Sequence, residues 1–286
     1  MKISLFYYSG AGNTKFIAKK LVAQLENKNK YAYRMSSNFR ILIFLLLSFF
    51  STVSFAQNKK DTLKVLFVGN SYTHVNNLPQ IVSMVSQNVN TTLITKQSTI
   101  GGAKLREHWL GERGLKTKEI IKNGNFDIVV FEGYSMSTIL EPDSLKKYLE
   151  LFCNYTRKNG AEPYFYLTWA RENNPQSQEI IDSVYYSIAA ETNATVVPAG
   201  RAWKLARELR PDIKLYEKDG SHPSKFGTIL TAYTFVATLT HEMPEKPKRA
   251  YSSKDIDGEF LLLMYFYKDE ISDVAFFKKV VKSLVK

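Results

Sequence analysis

The sequence has a single cysteine, Cys153, and four histidines among its 286 residues. One cysteine excludes an intramolecular disulfide and a cysteine-based metal site. The histidines are scattered, and no two of them have the spacing of metal ligands on a shared face. We therefore expect no metal and no other cofactor. Cys153 lies in an apolar pattern that begins at Tyr148, and it is predicted to be a buried core residue rather than a nucleophile.

A cluster of basic residues interleaved with aromatic ones is also lacking, although the net charge is +12. Residues 1–56 hold eight Lys or Arg and one acidic residue, a net charge of +7, which leaves +5 for residues 57–286. Because the larger part has no basic cluster, we expect no nucleic-acid binding. The 44% hydrophobic content fits a globular protein with a full-sized core.

No apolar run reaches the roughly 20 residues of a permanent membrane anchor. The longest, Ile41–Val53, follows Arg40 and precedes Ser54-Phe55-Ala56. A basic start, a short apolar segment and a small-x-small ending are typical of a secretory signal peptide. We predict a signal peptide over residues 35–56. The mature protein, residues 57–286, is then expected to be secreted or periplasmic, with no stable membrane insertion after cleavage.

Residues 1–34 have a pattern of their own, a strand, a Gly-rich loop and an amphipathic helix. Such a loop at a helix N-terminus can hold a phosphate. Ser9-Gly10-Ala11-Gly12-Asn13-Thr14 resembles the FMN-phosphate loop of flavodoxins, over about the first thirty residues only. Three interpretations stay open. The stretch is a fragment upstream of a start at Met35, an added strand–helix unit on the main domain, or a flavin site.

From Leu63 onward, β-rich apolar runs alternate with helical patterns. This alternation implies right-handed crossovers and a three-layer α/β/α domain with a five-stranded parallel sheet. The predicted strands are 63–69, 91–98, 127–131, 163–168 and 195–197. The predicted helices are 78–89, 115–122, 142–158, 176–192, 199–209 and 225–239. Two further helices, 254–267 and 271–285, are predicted as a C-terminal extension.

Three polar residues in this pattern have the chemistry of an acyl-transfer site. Ser71 follows the first strand, at the sheet edge where open α/β proteins bind ligands. Asp219 and His222 lie in the loop before the 225–239 helix, and their spacing lets the carboxylate orient the imidazole. A serine nucleophile needs such a base and an acid to orient it. Gly102, after the second strand, allows a backbone N–H to approach the same edge.

Gly69-Asn70-Ser71, Gly101-Gly102 and Asp219-Gly-Ser-His222-Pro resemble blocks I, II and V of the SGNH (GDSL-like) hydrolases, across about residues 63–239. The resemblance implies a flavodoxin-like SGNH hydrolase fold and a serine esterase, a carboxylic ester hydrolase. Ser71 would be the nucleophile, His222 the base and Asp219 its orienter. The backbone N–H groups of Ser71 and Gly102 would be the oxyanion donors. Expected substrates are short-chain acyl esters of small molecules or glycans, including carbohydrate O-acetyl groups.

Two residues depart from the family pattern. Asn70 replaces the Asp of the GDS form, and Glu132 follows the third strand where the family usually has an Asn donor. An ionised Glu only accepts hydrogen bonds and would repel an oxyanion. Glu132 therefore points elsewhere, is kept protonated by burial, or marks a missing donor. The last case gives the alternative function, a catalytically weak or inactive glycan- or lipid-binding protein.

We consider the remaining histidines and Trp109 both as pocket residues and as structural residues. His74 either lines the pocket beside Ser71 or is a helix-start residue. His108 is expected to be structural, although it and Trp109 could border the cleft, where Trp109 would stack on a sugar ring. His241 is expected to place a favourable charge at a helix C-terminus.

Overall fold

The computed structural model describes residues 61–244, 250–254, 256–257, 261–265 and 268–285. The predicted flavodoxin-like fragment and signal peptide, residues 1–34 and 35–56, lie outside these residues. Within them, no helix has the length and apolar character needed to span a membrane.

Five strands form one parallel sheet: β1 (Thr62–Gly69), β2 (Thr92–Thr99), β3 (Ile128–Phe131), β4 (Glu162–Tyr166) and β5 (Thr195–Val197). Their order is β2-β1-β3-β4-β5, and all four pairings are parallel. β1 is therefore paired on both sides, with Phe67 opposite Gln97 and Val130. The predicted five-stranded parallel sheet is confirmed, and the turn after β1 lies between those of β2 and β3.

In the part of the chain that the structure describes, nine α-helices follow or connect these strands: α1 (Ser71–His74), α2 (Leu78–Ser86), α3 (Leu105–Leu110), α4 (Thr117–Asn123), α5 (Ser137–Leu140), α6 (Pro142–Lys158), α7 (Gln178–Thr192), α8 (Ala199–Leu209) and α9 (Lys225–Thr240). The helices α6 and α8 agree with their predictions residue for residue. The helices α1, α3 and α5 were not predicted, because one or two turns leave no periodic pattern to recognise.

The apolar residues of β1 alternate between two cores. Val65 and Phe67 face the layer that contains α2, α8 and α9, whereas Leu66 and Val68 face the layer that contains α3, α6 and α7. All four side chains have at most 1% of their surface exposed. Phe67 also meets the ring of Phe235 in α9 edge to face, with the centroids 5.1 Å apart. Helices on both faces thus hold β1 and fix where its carboxyl end emerges.

The predicted helix over 254–267 is wrong. Two strands, β6 (Ala250–Lys254) and β7 (Leu261–Tyr265), form an antiparallel hairpin in that region. Five consecutive apolar residues in β7 suit a strand as well as a helix, and periodicity alone does not separate the two. The second predicted C-terminal helix is present as α10 (Lys268–Lys282). Its Phe277 is fully buried in the core that also contains α2, α8 and α9.

The loop before α9 is closed at its base by backbone contacts. Tyr216 and Pro223 pair as an isolated antiparallel bridge, and Glu217 N–H donates to the His222 carbonyl at 2.9 Å. A Cβ added to Gly227, in the first turn of α9, would lie 2.5 Å from Trp203 and would also press on a backbone carbonyl. Close packing of α9 therefore fixes the loop that carries Asp219 and His222.

Candidate active site

Ser71 is the first residue of α1 and stands directly after the Gly69-Asn70 end of β1. Asn70 caps this short helix: its side-chain oxygen accepts the Tyr72 N–H at 3.2 Å. The Asn70 carbonyl also accepts the N–H groups of Thr73 and His74, both at 3.2 Å. The cap reverses the chain sharply, so that the Ser71 side chain is presented at the carboxyl edge of the sheet.

The Asn70 side chain also joins the turns that follow the two neighbouring strands. Its amide nitrogen donates to the Ala103 carbonyl at 3.4 Å and to the Gly133 carbonyl at 3.2 Å. An aspartate at this position has no proton to donate when ionised. The replacement of the usual Asp by Asn70 therefore changes local hydrogen bonding, and it ties the Gly102 turn to the Ser71 turn. Gly102 itself has a φ of 68°, a conformation that favours glycine.

The structure brings Ser71, His222 and Asp219 together in one hydrogen-bonded chain. His222 Nε2 lies 2.9 Å from Ser71 Oγ, and His222 Nδ1 lies 2.5 Å from Asp219 Oδ2. A proton on Nδ1 is donated to the carboxylate, which leaves Nε2 free to accept the Ser71 hydroxyl proton. The arrangement is that of a nucleophile, a base and an orienting acid.

Asp219 is held in its ionised form. The hydrogen bond from His222, followed by those from the backbone N–H groups of Ser221 and His222, lowers the pKa of Asp219 to about 2. Both N–H groups donate to Asp219 Oδ1 at 2.9 Å. The side chains of His222 and Asp219 are 36% and 48% exposed, so the charged pair is open to solvent. A fixed carboxylate of this kind stabilises the imidazolium that forms when His222 takes a proton.

Glu132 does not line the pocket; it lies beneath the Ser71 turn with 1% of its surface exposed. Its Oε2 accepts the Asn70 N–H at 3.0 Å and the Thr73 hydroxyl at 2.5 Å, while Oε1 has no hydrogen-bond partner. Burial raises the pKa of Glu132 to about 7, against the opposing effect of the Thr73 and Asn70 hydrogen bonds. The structure therefore shows that the Glu132 side chain points away from the oxyanion site. Its burial also favours the protonated carboxyl, the second of the alternatives considered.

The remaining predicted residues have separate surroundings. His108 is buried, donates from Nε2 to the Gly69 carbonyl at 2.9 Å and accepts the Thr117 hydroxyl at 2.7 Å, and burial lowers its pKa to about 4. It is a structural residue, as expected. Trp109 meets Phe152 and Tyr155 edge to face, so the structure places it in the packing against α6 rather than beside the triad.

His74 is the last residue of α1. A Cβ added to Gly101 would be 3.9 Å from its ring. Burial, with a smaller contribution from the charge of His222, lowers the pKa of His74. His74 therefore stands near both the Gly101-Gly102 turn and the base. His241 is the C-cap residue directly after α9, with a φ of 56°.

Sequence reasoning missed Tyr72 and Ser221, the direct neighbours of Ser71 and His222. Their hydroxyl oxygens are 2.6 Å apart. Only their positions beside the two motif residues could have indicated them. Among the residues that the structure describes, no group of three His, Cys, Asp or Glu side chains is arranged to hold a metal.

No family model and no curated protein matches the sequence. Solved structures do match it. A candidate SGNH hydrolase from Slackia heliotrinireducens is 22% identical with a TM-score of 0.53, and the match covers 63% of this chain and all of that one. A DUF4886 family protein from Bacteroides uniformis is also 22% identical, with a TM-score of 0.57, over 66% of this chain and 88% of that one. These similarities confirm the predicted SGNH hydrolase fold.

Glu132→Gln should flatten the pH dependence of stability. Because the pKa of about 7 lies above the ordinary value of 4.5, the native protein holds this proton more tightly than the unfolded chain does. Stability should therefore fall as the pH rises from about 4.5 to about 7, by an amount on the order of 3 kcal/mol. The variant does not titrate and should lack this loss. Urea unfolding at a series of pH values measures the difference.

His108 titrates in both proteins alike, so the comparison isolates Glu132. The amide oxygen of Glu132→Gln can accept both hydrogen bonds, and turnover of a short ester should stay within about threefold of the original. The leucine side chain of the control Glu132→Leu accepts neither hydrogen bond, so this variant should be less stable than Glu132→Gln at every pH. An unchanged pH dependence in Glu132→Gln, or a large loss of its turnover, would contradict this account.

Proposed function

We propose that this protein is a serine esterase that hydrolyses short-chain acyl esters. The observation that carries the proposal is the hydrogen-bonded chain from Ser71 through His222 to Asp219, at the carboxyl edge of the sheet. The Ser71–His222 hydrogen bond, at 2.9 Å, has a length that allows proton transfer, and the His222–Asp219 hydrogen bond, at 2.5 Å, orients the imidazole. The SGNH hydrolase fold supports the proposal without deciding it, because one fold serves many functions.

In the proposed reaction, His222 takes the Ser71 proton as Ser71 Oγ attacks the acyl carbonyl carbon. The negative charge that develops on the carbonyl oxygen is stabilised by the backbone N–H groups of Ser71 and Gly102. The imidazolium, held by Asp219, then protonates the leaving alcohol as the C–O bond breaks. A water molecule then gives a proton to His222 as it attacks the acyl carbon of the acyl-enzyme. The bond between Ser71 Oγ and the acyl carbon breaks, the proton on His222 passes to Ser71 Oγ, and the carboxylic acid leaves.

The substrates that we propose are short acyl esters of small molecules or glycans, with carbohydrate O-acetyl groups as one class. The exposure of His222 and Asp219 supports a site that is open to a substrate larger than its acyl group. The expected export supports a glycan substrate only through the compartment in which the protein would act. The alternative, a catalytically weak or inactive glycan- or lipid-binding protein, rests on a missing side-chain oxyanion donor at the Glu132 position. Glu132 is buried beneath the turn, so it neither donates to the oxyanion nor repels it, and the proposed reaction relies on the backbone N–H groups of Ser71 and Gly102.

A fluorophosphonate probe should label Ser71, because an activated serine attacks the phosphorus while a free hydroxyl does not. Ser71→Ala should abolish labelling and lower hydrolysis of a short acyl ester by at least about 10³-fold. Ser187→Ala removes an exposed hydroxyl on α7 and is the matched control; it should behave as the unaltered protein does. Peptide mapping of the labelled protein identifies the site. Unlabelled native protein, or full labelling of Ser71→Ala, would refute the proposed mechanism.

If residues 35–56 are a signal peptide, protein recovered from the periplasm or the medium should begin at Gln57. The apolar segment before it would be removed at the Ser54-Phe55-Ala56 sequence. N-terminal sequencing of the exported protein makes the measurement, with cytoplasmic protein from the same cells as the control. Exported protein that starts at Met1 would exclude this cleavage.

A further inference from the structure

Tyr72 follows the nucleophile in sequence and reaches across to the loop of the base. Its ring is buried, with 2% of the residue exposed, and its hydroxyl oxygen lies 2.6 Å from Ser221 Oγ. The ring also meets the His222 imidazole edge to face, with the centroids 5.6 Å apart. One side chain thus contacts both His222 and the residue before it.

The segment after β4 contacts the same loop from a second direction. Trp169 stacks on Tyr72 with a centroid distance of 4.9 Å, and its Nε1–H donates to the Ser221 carbonyl at 2.9 Å. Glu172 N–H donates to the Gly220 carbonyl, also at 2.9 Å. Trp169 is itself fixed by stacking on Trp203, with the ring centroids 3.7 Å apart. Tyr72 therefore rests on a rigid support, and Ser221 is bound through both its backbone and its side chain.

The Tyr72–Ser221 contact is a pairing of two neutral hydroxyls. Burial raises the pKa of Tyr72, so its hydroxyl keeps its proton. Tyr72 is buried, and its hydroxyl has two serine partners, Ser221 and Ser135. Loss of the Ser221 bond leaves the cost of taking the Tyr72 hydroxyl out of water less fully compensated. Breaking the contact would therefore favour a rearrangement of the Ser221 backbone, and His222 is the next residue along the chain.

We propose that Tyr72 and Ser221 are positioning residues that hold His222 within reach of Ser71. The inference rests on the proposed function, since it concerns the same Ser71 and His222. Each partner of the contact is covalently adjacent to one member of the reacting pair, so a displacement at the contact passes directly to the Ser71–His222 distance. A misplacement of about 1 Å can cost on the order of 10²-fold in rate.

The test compares Tyr72→Phe, which keeps the ring stack, with Ser221→Ala and with the double variant. Each single change should lower kcat for a short acyl ester about tenfold while KM stays within about twofold, because chemistry is impaired and binding is not. Since both changes remove the same contact, the double variant should be no slower than the slower single variant. Rates are divided by the concentration of active sites from fluorophosphonate titration, so that unfolded protein is not counted.

Tyr155→Phe is the matched control. It removes a tyrosine hydroxyl that donates to the Lys118 carbonyl at 3.1 Å, away from the triad, and should leave kcat unchanged. An unaltered kcat in Tyr72→Phe, a loss confined to KM, or losses that multiply in the double variant would each overturn the positioning role. If the unaltered protein neither hydrolyses esters nor reacts with the probe, the proposed function itself fails. A normal native rate with an unaffected Tyr72→Phe rejects only this inference.

Discussion

The hydrogen bond between His222 Nε2 and Ser71 Oγ joins parts of the chain 151 residues apart, and the rest of the structure serves to hold its two ends. One end is fixed by β1, which is buried on both faces and paired on both sides. Its last residues therefore lie between the carboxyl ends of β2 and β3. The other end is fixed by the loop before α9, closed by the bridge between Tyr216 and Pro223. Neither end carries the chemistry alone.

Two carboxyl groups near this bond have opposite environments and opposite roles. Asp219 is half-exposed and accepts three hydrogen bonds, which lower its pKa and keep it charged beside the imidazole. Glu132 is buried without a cationic partner, and burial raises its pKa. In the proposed reaction, Asp219 stabilises the charge that forms on His222, whereas Glu132 supports the Ser71 turn through the Asn70 N–H. Environment rather than residue type separates these roles.

Much of this could be predicted from sequence. The alternation of strands and helices predicted the sheet because β1 and β3, at its centre, contain continuous apolar runs. The Asp-x-x-His spacing placed Asp219 beside His222 because the partners are local. Long-range contacts were beyond reach: the direction of Glu132 depends on space beneath the Ser71 turn, and the position of Trp109 depends on packing against α6. The strand Leu261–Tyr265 was mistaken for helix because a short apolar run has no period to read.

The central claim is that the Ser71 turn and the Gly102 turn form one oxyanion site around the serine. A crystal structure of the protein after reaction with a small phosphonate tests it most directly, because the phosphoryl oxygen stands where the oxyanion would form. The account predicts phosphorus bonded to Ser71 Oγ, with its oxygen about 2.7–3.1 Å from the backbone nitrogens of Ser71 and Gly102. Phosphorus on another residue, or a phosphoryl oxygen that faces away from both nitrogens, would contradict it.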